Sequence, residues 1–585
     1  MVISVQQRRE SLENDFPVWQ RKTLGEHFAE RCQKYADRPL LVTSSTHYTY
    51  EEVWRDSVNA AKAMLALGIR RRDHVALIMD NKPEFVALKI GISLIGAVCI
   101  PINTMLQEDE LEYMFRQSDV QWLFIHDKIK SNPLQRNVKQ IIVKDEKAEG
   151  LQSQIQKVVT IPNGLSTVEQ HNDEFFIEWN DFIARASSVS DEAFDLRFAQ
   201  SCYPDEIADI IYTSGTTGMP KGVMLTHDML LRCSYSTALS RAFEDGRRIF
   251  TTLPMYHVFA YVEGFMAASF VGGSIVLCTD SSPREVLKLL EKTHATDYIC
   301  VPSMLISILK QPNLETYDYS SLFGMMCAAA PAPVPVWKKA VEKLGLTEIC
   351  TGYGGTEATA ATVHTEVGDS IEIVTTRVGR VKPGGSSGEE EYGGKNIQYD
   401  VIDPYTKERL TQGSVGEFIV RGNFVTNGYY NKPEENAADI DKDGWFHTGD
   451  LGRIDENGYL EFLGRSKDLY KTFGENVAPK EVEEVISLHP AVNQVYVVGV
   501  KDALAGEMGG AFIELNQGAT CERRDIVRWC GEHLARFKVP RHVWFVHEED
   551  WPLSGTGKVQ KFRLRERAEE YLGKHETLKK GGESS

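Results

Sequence analysis

The sequence has no excess of positive charge. Lysine and arginine together number 65 against 83 aspartate and glutamate residues, so the 585-residue chain has a formal net charge of −18. A general nucleic-acid-binding protein normally carries a basic surface that neutralises phosphates, and this balance argues against that class. A small anionic ligand remains possible, because a locally positive pocket can lie inside an acidic protein.

Long apolar runs and regularly spaced cysteines are also missing. The most apolar stretch, residues 86–105, contains Lys89, Pro101 and Asn103, which predicts a buried helix followed by a strand and no transmembrane segment. The first residues, MVISVQQRRESLENDF, have no apolar core of a signal peptide and predict an exposed polar lead-in. The ten cysteines lack metal-binding spacing. We therefore expect a cytoplasmic protein with free thiols.

What the sequence does contain is the pattern of a large α/β protein. The chain is longer than one hydrophobic core normally allows, so at least two domains are expected. Between residues 24 and 103, amphipathic helical patterns alternate with short apolar runs such as PLLVT and DHVALIMD. This alternation is typical of largely parallel strands covered by helices.

The last third of the chain has a different pattern. IQYDVID, VGEFIVRG, GWFHTGDLGRID and GYLEFLG are short strand patterns separated by turn residues, which predict an antiparallel β subdomain. From residue 481 onward, helical and strand patterns alternate over the length of a small α+β domain. We place the boundary between the two parts near Lys467.

The segment IYTSGTTGMPKGVMLTH, residues 211–227, is the most informative motif. All six residues from position 213 to 218 are Thr, Ser or Gly, and Lys221 follows them. Such a loop offers closely spaced N–H groups, hydroxyls and one ammonium to a polyphosphate. The Walker P-loop fails on spacing, because Pro220 stands where its second glycine is required. A flexible linker is the other alternative, and the apolar flanks of the loop disfavour it.

With six later segments, this loop resembles the adenylate-forming superfamily of acyl-CoA synthetases, peptide-synthetase adenylation domains and firefly luciferases. The match runs from about residue 24 to residue 572, and it is closest to fatty-acyl and carnitine-type CoA ligases. The later segments are PMYHVFA (254–260), CAAAPAPVP (327–335), TGYGGTEATA (351–360), GWFHTGDLG (444–452), GRSKDLYKTFGENVAPKEVE (464–483) and PLSGTGKVQK (552–561).

The resemblance implies an α/β fold and a two-step reaction. Residues 1–466 would form a large N-terminal AMP-binding part of two α/β subdomains plus a β subdomain, and residues 467–585 a small mobile α+β domain. The enzyme would join a hydrophobic carboxylic acid to ATP as acyl-AMP with release of pyrophosphate. It would then pass the acyl group to coenzyme A and release AMP, a ligase reaction of fatty acid metabolism that requires magnesium.

The resemblance also assigns roles to single residues. Glu357 would bind Mg²⁺ with a hydroxyl of Thr213, Tyr353 would stack on adenine, and Thr356 would contact the α-phosphate. His257 would gate the acyl pocket, an interpretation favoured over a general base because the acid is already ionised. The residues implied for ATP are Thr213, Ser214, Gly215, Thr216, Thr217, Gly218, Lys221, Ala329, Ala330, Gly352, Tyr353, Gly354, Asp450 and Arg465.

Lys558, in the Gly-rich segment SGTGK, would stabilise the adenylation transition state as a mobile positive charge. It must leave the site again to admit a thiol, so the C-terminal domain would rotate about a hinge at Lys467. In that second arrangement Lys471 and Gly474 would approach CoA and the adenylate.

Several alternatives remain open at this stage. Phe473 replaces a residue that is usually small in the family, so the acceptor thiol could belong to a carrier protein instead of CoA. A non-catalytic acyl- or nucleotide-binding protein and a luciferase-like oxygenase are the other candidates. The acid is expected to be hydrophobic, because the stretch 261–273 near the acyl pocket has small residues such as Gly264 and no cation. A homodimer is a further expectation, and the acidic, glycine-rich stretch 384–395 has no assigned role.

Overall fold

The computed structural model describes residues 4–130, 132–144, 154–164, 175–201, 203–213, 219–502, 504–554 and 558–581. The strands in chain order are β1 Pro39–Val42, β2 His47–Thr49, β3 His74–Ile78, β4 Val98–Pro101, β5 Trp122–His126, β6 Lys157–Ile161, β7 Phe176–Glu178, β8 Ile207–Thr213, β9 Lys221–Thr226, β10 Arg248–Thr251, β11 Ser274–Leu277, β12 Asp297–Cys300, β13 Gly324–Cys327, β14 Glu348–Cys350, β15 Gly352–Gly354, β16 Ala361–His364, β17 Arg380–Val381, β18 Ile397–Ile402, β19 Gly416–Gly422, β20 Phe446–Ile454, β21 Leu460–Arg465, β22 Tyr470–Thr472, β23 Glu475–Val477, β24 Val492–Asp502, β25 Gly506–Leu515 and β26 His542–Phe545. The α-helices of six or more residues are Val5–Asp15, Leu24–Lys34, Tyr50–Leu67, Pro83–Leu94, Glu108–Gln117, Leu134–Lys144, Trp179–Ala184, Asp191–Ala199, His227–Ser240, Pro283–Lys292, Pro302–Leu309, Val334–Leu344, Ile371–Thr376, Pro433–Asp439, Pro479–Ser487, Arg523–His533 and Lys561–Gly581.

Two seven-stranded sheets form the large part of the molecule. Their strand orders are β7-β6-β5-β3-β4-β8-β9 and β14-β13-β12-β10-β11-β1-β2. The pairs are parallel except at one edge of each sheet, where β8 with β9 and β1 with β2 run antiparallel. The central strands are mostly apolar and buried because both sheet faces are covered. This confirms the two predicted α/β subdomains.

The most apolar stretch folds as predicted. It forms the buried helix Pro83–Leu94 and then the buried strand β4. Lys89, which interrupts the apolar run, forms a buried ion pair with Asp209 on β8. Within the described residues, no helix is both long and apolar enough to cross a bilayer.

The remaining sheets confirm the pattern expected for the last third of the chain. Strands β18 to β21 form an antiparallel meander. Strands β22 to β26 form a separate sheet whose helices Pro479–Ser487 and Arg523–His533 enclose a core of their own. The short 3₁₀ turn Ser466–Asp468 connects β21 of the first sheet to β22 of the second. The domain boundary that we propose near Lys467 therefore lies between two independent sheets.

The first residues correct the sequence interpretation, because they are not an exposed lead-in. Residues Val5–Asp15 form a helix in which Arg8 and Leu12 are buried. Arg8 forms ion pairs with Glu348 and, at 3.5 Å, with Glu244. A buried charge needs a partner of opposite sign, and the partners of Arg8 lie more than 200 residues away in sequence.

The acidic, glycine-rich stretch 384–395 is a compact loop that packs on helix His227–Ser240. The buried Arg232 of that helix donates to the carbonyl of Ser387 and pairs with Glu389 at 3.0 Å. Gly388 is required for the close backbone approach, because a Cβ there would lie 2.1 Å from the carbonyl oxygen of Gly394. The stretch therefore has a structural role in covering this helix.

Candidate active site

The predicted site residues follow the carboxyl ends of parallel strands. Thr213 ends β8, His257 follows β10, Ala329 follows β13 and Gly352 follows β14. In open α/β sheets, ligands bind in the crevice outside these strand ends. The predicted site residues therefore follow the carboxyl ends of strands from both large sheets.

The phosphate loop is described at its two ends only. Ser214, Gly215, Thr216, Thr217 and Gly218 lie outside the described residues. Thr213 pairs with Lys221 as β8 and β9 close the loop. The Lys221 ammonium lies 2.8 Å from Asp439 Oδ2 and 4.0 Å from the centre of the Tyr429 ring. Asp439 and Tyr429, which the sequence motifs did not indicate, thus hold the Lys221 ammonium where the two ends of the loop meet.

Glu357 lies next to this cation. The hydroxyl of Tyr429 donates to Glu357 Oε1 at 3.1 Å, and the Thr426 N–H donates to the Glu357 carbonyl at 2.8 Å. Burial raises the pKa of Glu357, although Lys221 and Arg465 act in the opposite direction. Burial disfavours the charged form of this carboxylate, and a bound cation would favour that form.

The turn that carries Glu357 is held in a strained backbone conformation. Thr356 is buried, and the turn ends at Thr359, whose φ is +72°. A β-branched residue rarely adopts positive φ. The hydroxyl of Thr359 donates to the Phe424 carbonyl at 2.6 Å, which fixes the turn against the β subdomain. Strain of this kind is concentrated at ligand-binding sites.

Glu357 and Thr213 fit a magnesium ion that arrives with a nucleotide. Among the residues that the structure describes, no group of three or more His, Cys, Asp and Glu side chains could hold a metal ion. Mg²⁺ commonly takes only one or two protein carboxylates and completes its shell with phosphate oxygens and water. A single partly neutralised carboxylate beside a phosphate loop is therefore the expected protein contribution.

A second cluster joins Tyr353 to Asp450 and Arg465. The Tyr353 hydroxyl donates to Asp450 Oδ2 at 2.7 Å, and its ring stacks on Phe462 with centres 5.7 Å apart. Asp450 and Arg465 are paired across β20 and β21. Asp450 Oδ1 is buried without a hydrogen-bond partner among the described residues, because Arg465 Nε, 3.3 Å away, lacks hydrogen-bonding geometry. This oxygen is available to accept a ligand hydroxyl.

The glycines beside Tyr353 are required by the sheet itself. A Cβ at Gly354 would lie 2.0 Å from the Ala360 carbonyl oxygen, and one at Gly352 would lie 2.8 Å from that of Val363. Their small size therefore permits the pairing of β15 with β16. Ala329 has a φ of +70°, an uncommon conformation for a residue with a side chain.

Lys558, an exposed residue of the C-terminal domain, lies within electrostatic range of this cluster. The protein around its ammonium lowers the pKa of Lys558 to about 8, and repulsion by Arg465 adds to this effect while Asp450 opposes it. Burial and then the charge of Lys558 lower the pKa of His257 to about 4. His257 Nδ1 accepts from the Phe259 N–H at 3.3 Å. A pKa of about 4 makes His257 a weak base near pH 7, which agrees with a gate better than with a general base.

Gly264, one of the small residues predicted near the acyl pocket, lies against a sheet. Gly264 faces the sheet, where a Cβ would be 3.4 Å from Ile275, in ordinary contact. The neighbouring Glu263 is fully buried, 3.3 Å from Lys382 and 3.1 Å from His364. The negative charge in this stretch is thus compensated inside the protein.

The comparisons with known proteins agree with this site. Residues 28–430 match the family described as AMP-binding enzyme, and residues 481–558 match the AMP-binding enzyme C-terminal domain. The chain belongs to the AMP-binding enzyme family. It is an AMP-forming acid–thiol ligase of the acyl-CoA synthetase class, and it uses ATP and CoA.

Two relatives and one solved structure illustrate the similarity. The chain is 33% identical to the putative acyl-CoA synthetase YngI of Bacillus subtilis (strain 168), over 93% of this chain and 97% of that protein. It is 31% identical to the mitochondrial medium-chain acyl-CoA ligase ACSF2 of Danio rerio, over 95% and 89%. The crystal structure of ATP-bound MatB from Rhodopseudomonas palustris has a TM-score of 0.77 at 27% identity and covers 93% of this chain and 98% of that one.

Two predicted residues of this AMP-binding enzyme lie away from the cluster. Lys471 and Gly474 are on the exposed β22–β23 hairpin, and the Lys471 N–H donates to Glu507 at 2.9 Å. Phe473, at the hairpin tip, has a φ of +53° and is 66% exposed. In this arrangement the charge of Lys558 acts on His257 and Asp450, and the Phe473 side chain is exposed to solvent.

Sequence reasoning missed three residues of the site. Tyr429 contacts both Lys221 and Glu357, Asp439 pairs with Lys221, and Phe462 stacks on Tyr353. Tyr429 lies in the turn-rich segment TNGYYN, where a buried aromatic residue is unusual and gives only a weak signal. Asp439 and Phe462 carry no local signal at all.

Proposed function

We propose that the chain activates a medium-chain hydrophobic carboxylic acid and transfers it to CoA. The observation that supports this proposal is the electrostatic coupling of Lys558, in the C-terminal domain, to His257, Asp450 and Arg465. The medium chain length is supported by the relatives named for that substrate class. The stretch 261–273 contains no lysine or arginine that could bind a second carboxylate.

In the first half-reaction, an oxygen of the acid attacks the α-phosphorus of ATP, and the bond to the leaving pyrophosphate breaks. Both reactants are anions, so the barrier falls when fixed cations neutralise the charge that develops between them. Lys558 supplies an ammonium on the acyl side and Lys221 supplies one at the phosphate loop. Mg²⁺, held by Glu357 and Thr213, would shield the phosphate oxygens. His257 remains neutral and borders the acid.

In the second half-reaction, the CoA sulfur attacks the acyl carbon, the thiol loses its proton, and AMP leaves. We infer that the C-terminal domain first rotates about Lys467, which withdraws Lys558 and brings Lys471 and Gly474 to the adenylate. A depression of about 630 Å³ on this domain supports CoA as the acceptor, because four arginines line it. They are Arg523, Arg524, Arg536 and Arg541.

This basic depression lies close to the Phe473 hairpin. Arg541 pairs at 2.7 Å with Asp502, whose carboxylate accepts from the Ala505 N–H, and the Ala505 carbonyl accepts from Phe473. CoA carries nucleotide phosphates that a carrier-protein pantetheine lacks. Thioester formation with CoA should therefore exceed that with a pantetheinylated carrier protein, and the reverse result would favour the carrier. The cytoplasmic location and the homodimer remain predictions.

A panel of acids tests the proposed substrate. We expect octanoate and decanoate to release pyrophosphate with kcat/KM at least about tenfold above acetate or malonate. Each added methylene group gains apolar contacts in the pocket, and the second carboxylate of malonate would have no cationic partner there. Palmitate and benzoate complete the panel. Highest activity with malonate would contradict the substrate class, and no pyrophosphate release with any acid would point to a non-catalytic binding protein.

Replacing Glu357 should weaken the use of magnesium. Glu357→Gln keeps the shape and the Tyr429 contact but removes the charge, and a neutral amide is a poorer ligand for a hard cation. We expect the Mg²⁺ concentration for half-maximal pyrophosphate release to rise about tenfold. Glu366→Gln is the control, because Glu366 pairs with Arg380 at a distance of 3.0 Å. An unchanged Mg²⁺ titration would show that Glu357 has a structural role only.

The rate of the first half-reaction should fall with rising pH. Lys558 acts as an ammonium, and its pKa of about 8 means that the charge is present below this pH and is lost above it. The kcat/KM for pyrophosphate release should therefore decline with a one-proton dependence near pH 8. Lys558→Arg retains its charge and should remove this decline. A wild-type profile that stays level well above pH 8 would contradict the assignment.

A further inference from the structure

Lys310 connects the large part of the molecule to the C-terminal domain. It follows helix Pro302–Leu309, and its ammonium lies 2.9 Å from Glu514 Oε1 and 3.3 Å from Glu548 Oε2. Glu514 belongs to β25, and Glu548 follows β26. Burial alone would lower the pKa of Lys310, but the hydrogen bonds and the negative charges of Glu514 and Glu548 together outweigh this and raise it. The lysine therefore stays charged at neutral pH.

Glu514 is a fixed and nearly buried acceptor. It is 6% exposed, Asn493 donates to its Oε1 at 2.6 Å, and Trp551 donates to its Oε2 at 2.8 Å. These are neutral donors, and a buried carboxylate is stable only with a cation nearby. The cation comes from Lys310, on the other side of the cleft.

Trp551 links this contact to the segment that carries Lys558. Pro552 follows Trp551 directly, and its carbonyl accepts from the Gln560 N–H at 2.8 Å, which joins the two ends of the Lys558 loop at residues 552 and 560. The buried indole of Trp551 anchors the start of that loop. The contacts run from Lys310 through Glu514 and Trp551 to the loop of Lys558.

The surroundings of the ion pair are open. A cleft of about 990 Å³ separates the two parts of the molecule here, with Lys310 and Leu309 on one side and Glu514 on the other. Leu488 and Phe545, which also line it, are 59% and 40% exposed. Domain motion is the default where an interface is not extensively packed. A single ion pair across this cleft therefore has a large effect on the position of the C-terminal domain.

We propose that Lys310 is a positioning residue for the first half-reaction: its pair with Glu514 and Glu548 holds the C-terminal domain where Lys558 reaches the site. This inference rests on the proposed function. Rotation for acyl transfer has to break the pair, because Lys310 stays with the large part while Glu514 and Glu548 move. Loss of the pair should therefore slow adenylation and leave acyl transfer unchanged or faster.

The test compares Lys310→Gln with Lys343→Gln. Lys343 is similarly exposed, at 34% against 37%, and pairs with Glu315 at 2.6 Å, but both partners belong to the large part. We expect Lys310→Gln to slow single-turnover acyl-AMP formation about three- to fivefold, the upper range for an ion pair with one exposed partner. Acyl transfer from supplied acyl-AMP should not fall. Lys343→Gln should change neither rate, and Lys310→Arg should restore the rate of acyl-AMP formation.

Equal losses in both half-reactions, or identical behaviour of the two glutamine variants, would overturn the proposal. Hydrogen exchange separates this failure from a failure of the proposed function. Backbone amides of residues 487–493 and 514–519, which line the cleft, should exchange faster in Lys310→Gln than in Lys343→Gln, even if no acid is activated. Unchanged exchange in Lys310→Gln would show that the ion pair does not hold the domain.

Discussion

Lys558→Ala is expected to slow acyl-AMP formation about 10²–10³-fold, the usual effect of removing one preorganised transition-state contact. Acyl transfer from supplied acyl-AMP to CoA should stay near the wild-type rate, because Lys558 has to leave the site before the thiol enters. The two rates are measured separately, as pyrophosphate release in the presence of ATP and acid and as single-turnover thioester formation.

Lys561→Ala is the control for this prediction. Lys561 lies three residues further along the chain and pairs with Glu483 at 2.7 Å, within the C-terminal domain. Its replacement should leave both half-reactions within a small factor of the wild type. Equal loss of both half-reactions in Lys558→Ala would remove the main support for two domain arrangements.

Lys467→Pro is expected to separate the half-reactions in the opposite direction. Lys467 lies in the 3₁₀ turn Ser466–Asp468, and such turns have the φ near −60° that proline imposes. The arrangement seen here, with Lys558 in the site, should therefore tolerate proline. A hinge rotation needs a different backbone angle at this position, which proline forbids. Adenylation should survive, and acyl transfer to CoA should fall to a small fraction of the wild-type rate.

The control for the hinge is Lys467→Ala, which removes the side chain but leaves the backbone free to rotate. It should keep both half-reactions, and a thermal melt of the proline variant should match that of the wild type. Normal acyl transfer in Lys467→Pro would place the hinge elsewhere or show that no rotation is needed. Loss of both half-reactions with a lowered melting temperature would mean that proline damages the turn itself.

Local patterns predicted most of the secondary structure but not how the strands assemble. PLLVT and DHVALIMD were both recognised as strands, yet β1 pairs with β11 in one sheet and β3 pairs with β4 in the other. Periodicity records which residues are apolar, and it contains no information about which distant strand will be the partner. The helix Val5–Asp15 was missed for the same reason, because the residues that bury Arg8 lie near positions 244 and 348.

The site was predictable where its residues sit in motifs. Glu357, Asp450 and Lys558 are each predicted from a short segment that resembles a family motif. The residues that fix them were not found, because each depends on a contact between remote parts of the chain. Tyr429 and Glu357 are 72 residues apart, and Lys310 and Glu514 are 204 apart.

The most direct test of the account is an exchange assay without CoA. The protein, ATP, Mg²⁺ and decanoate are incubated with labelled pyrophosphate, and the label in ATP is measured before CoA is added. The account predicts acid-dependent exchange of pyrophosphate into ATP with no CoA present, followed by decanoyl-CoA and AMP once CoA is supplied. Exchange that requires CoA, or thioester formation with ADP as the product, would contradict an acyl-AMP intermediate.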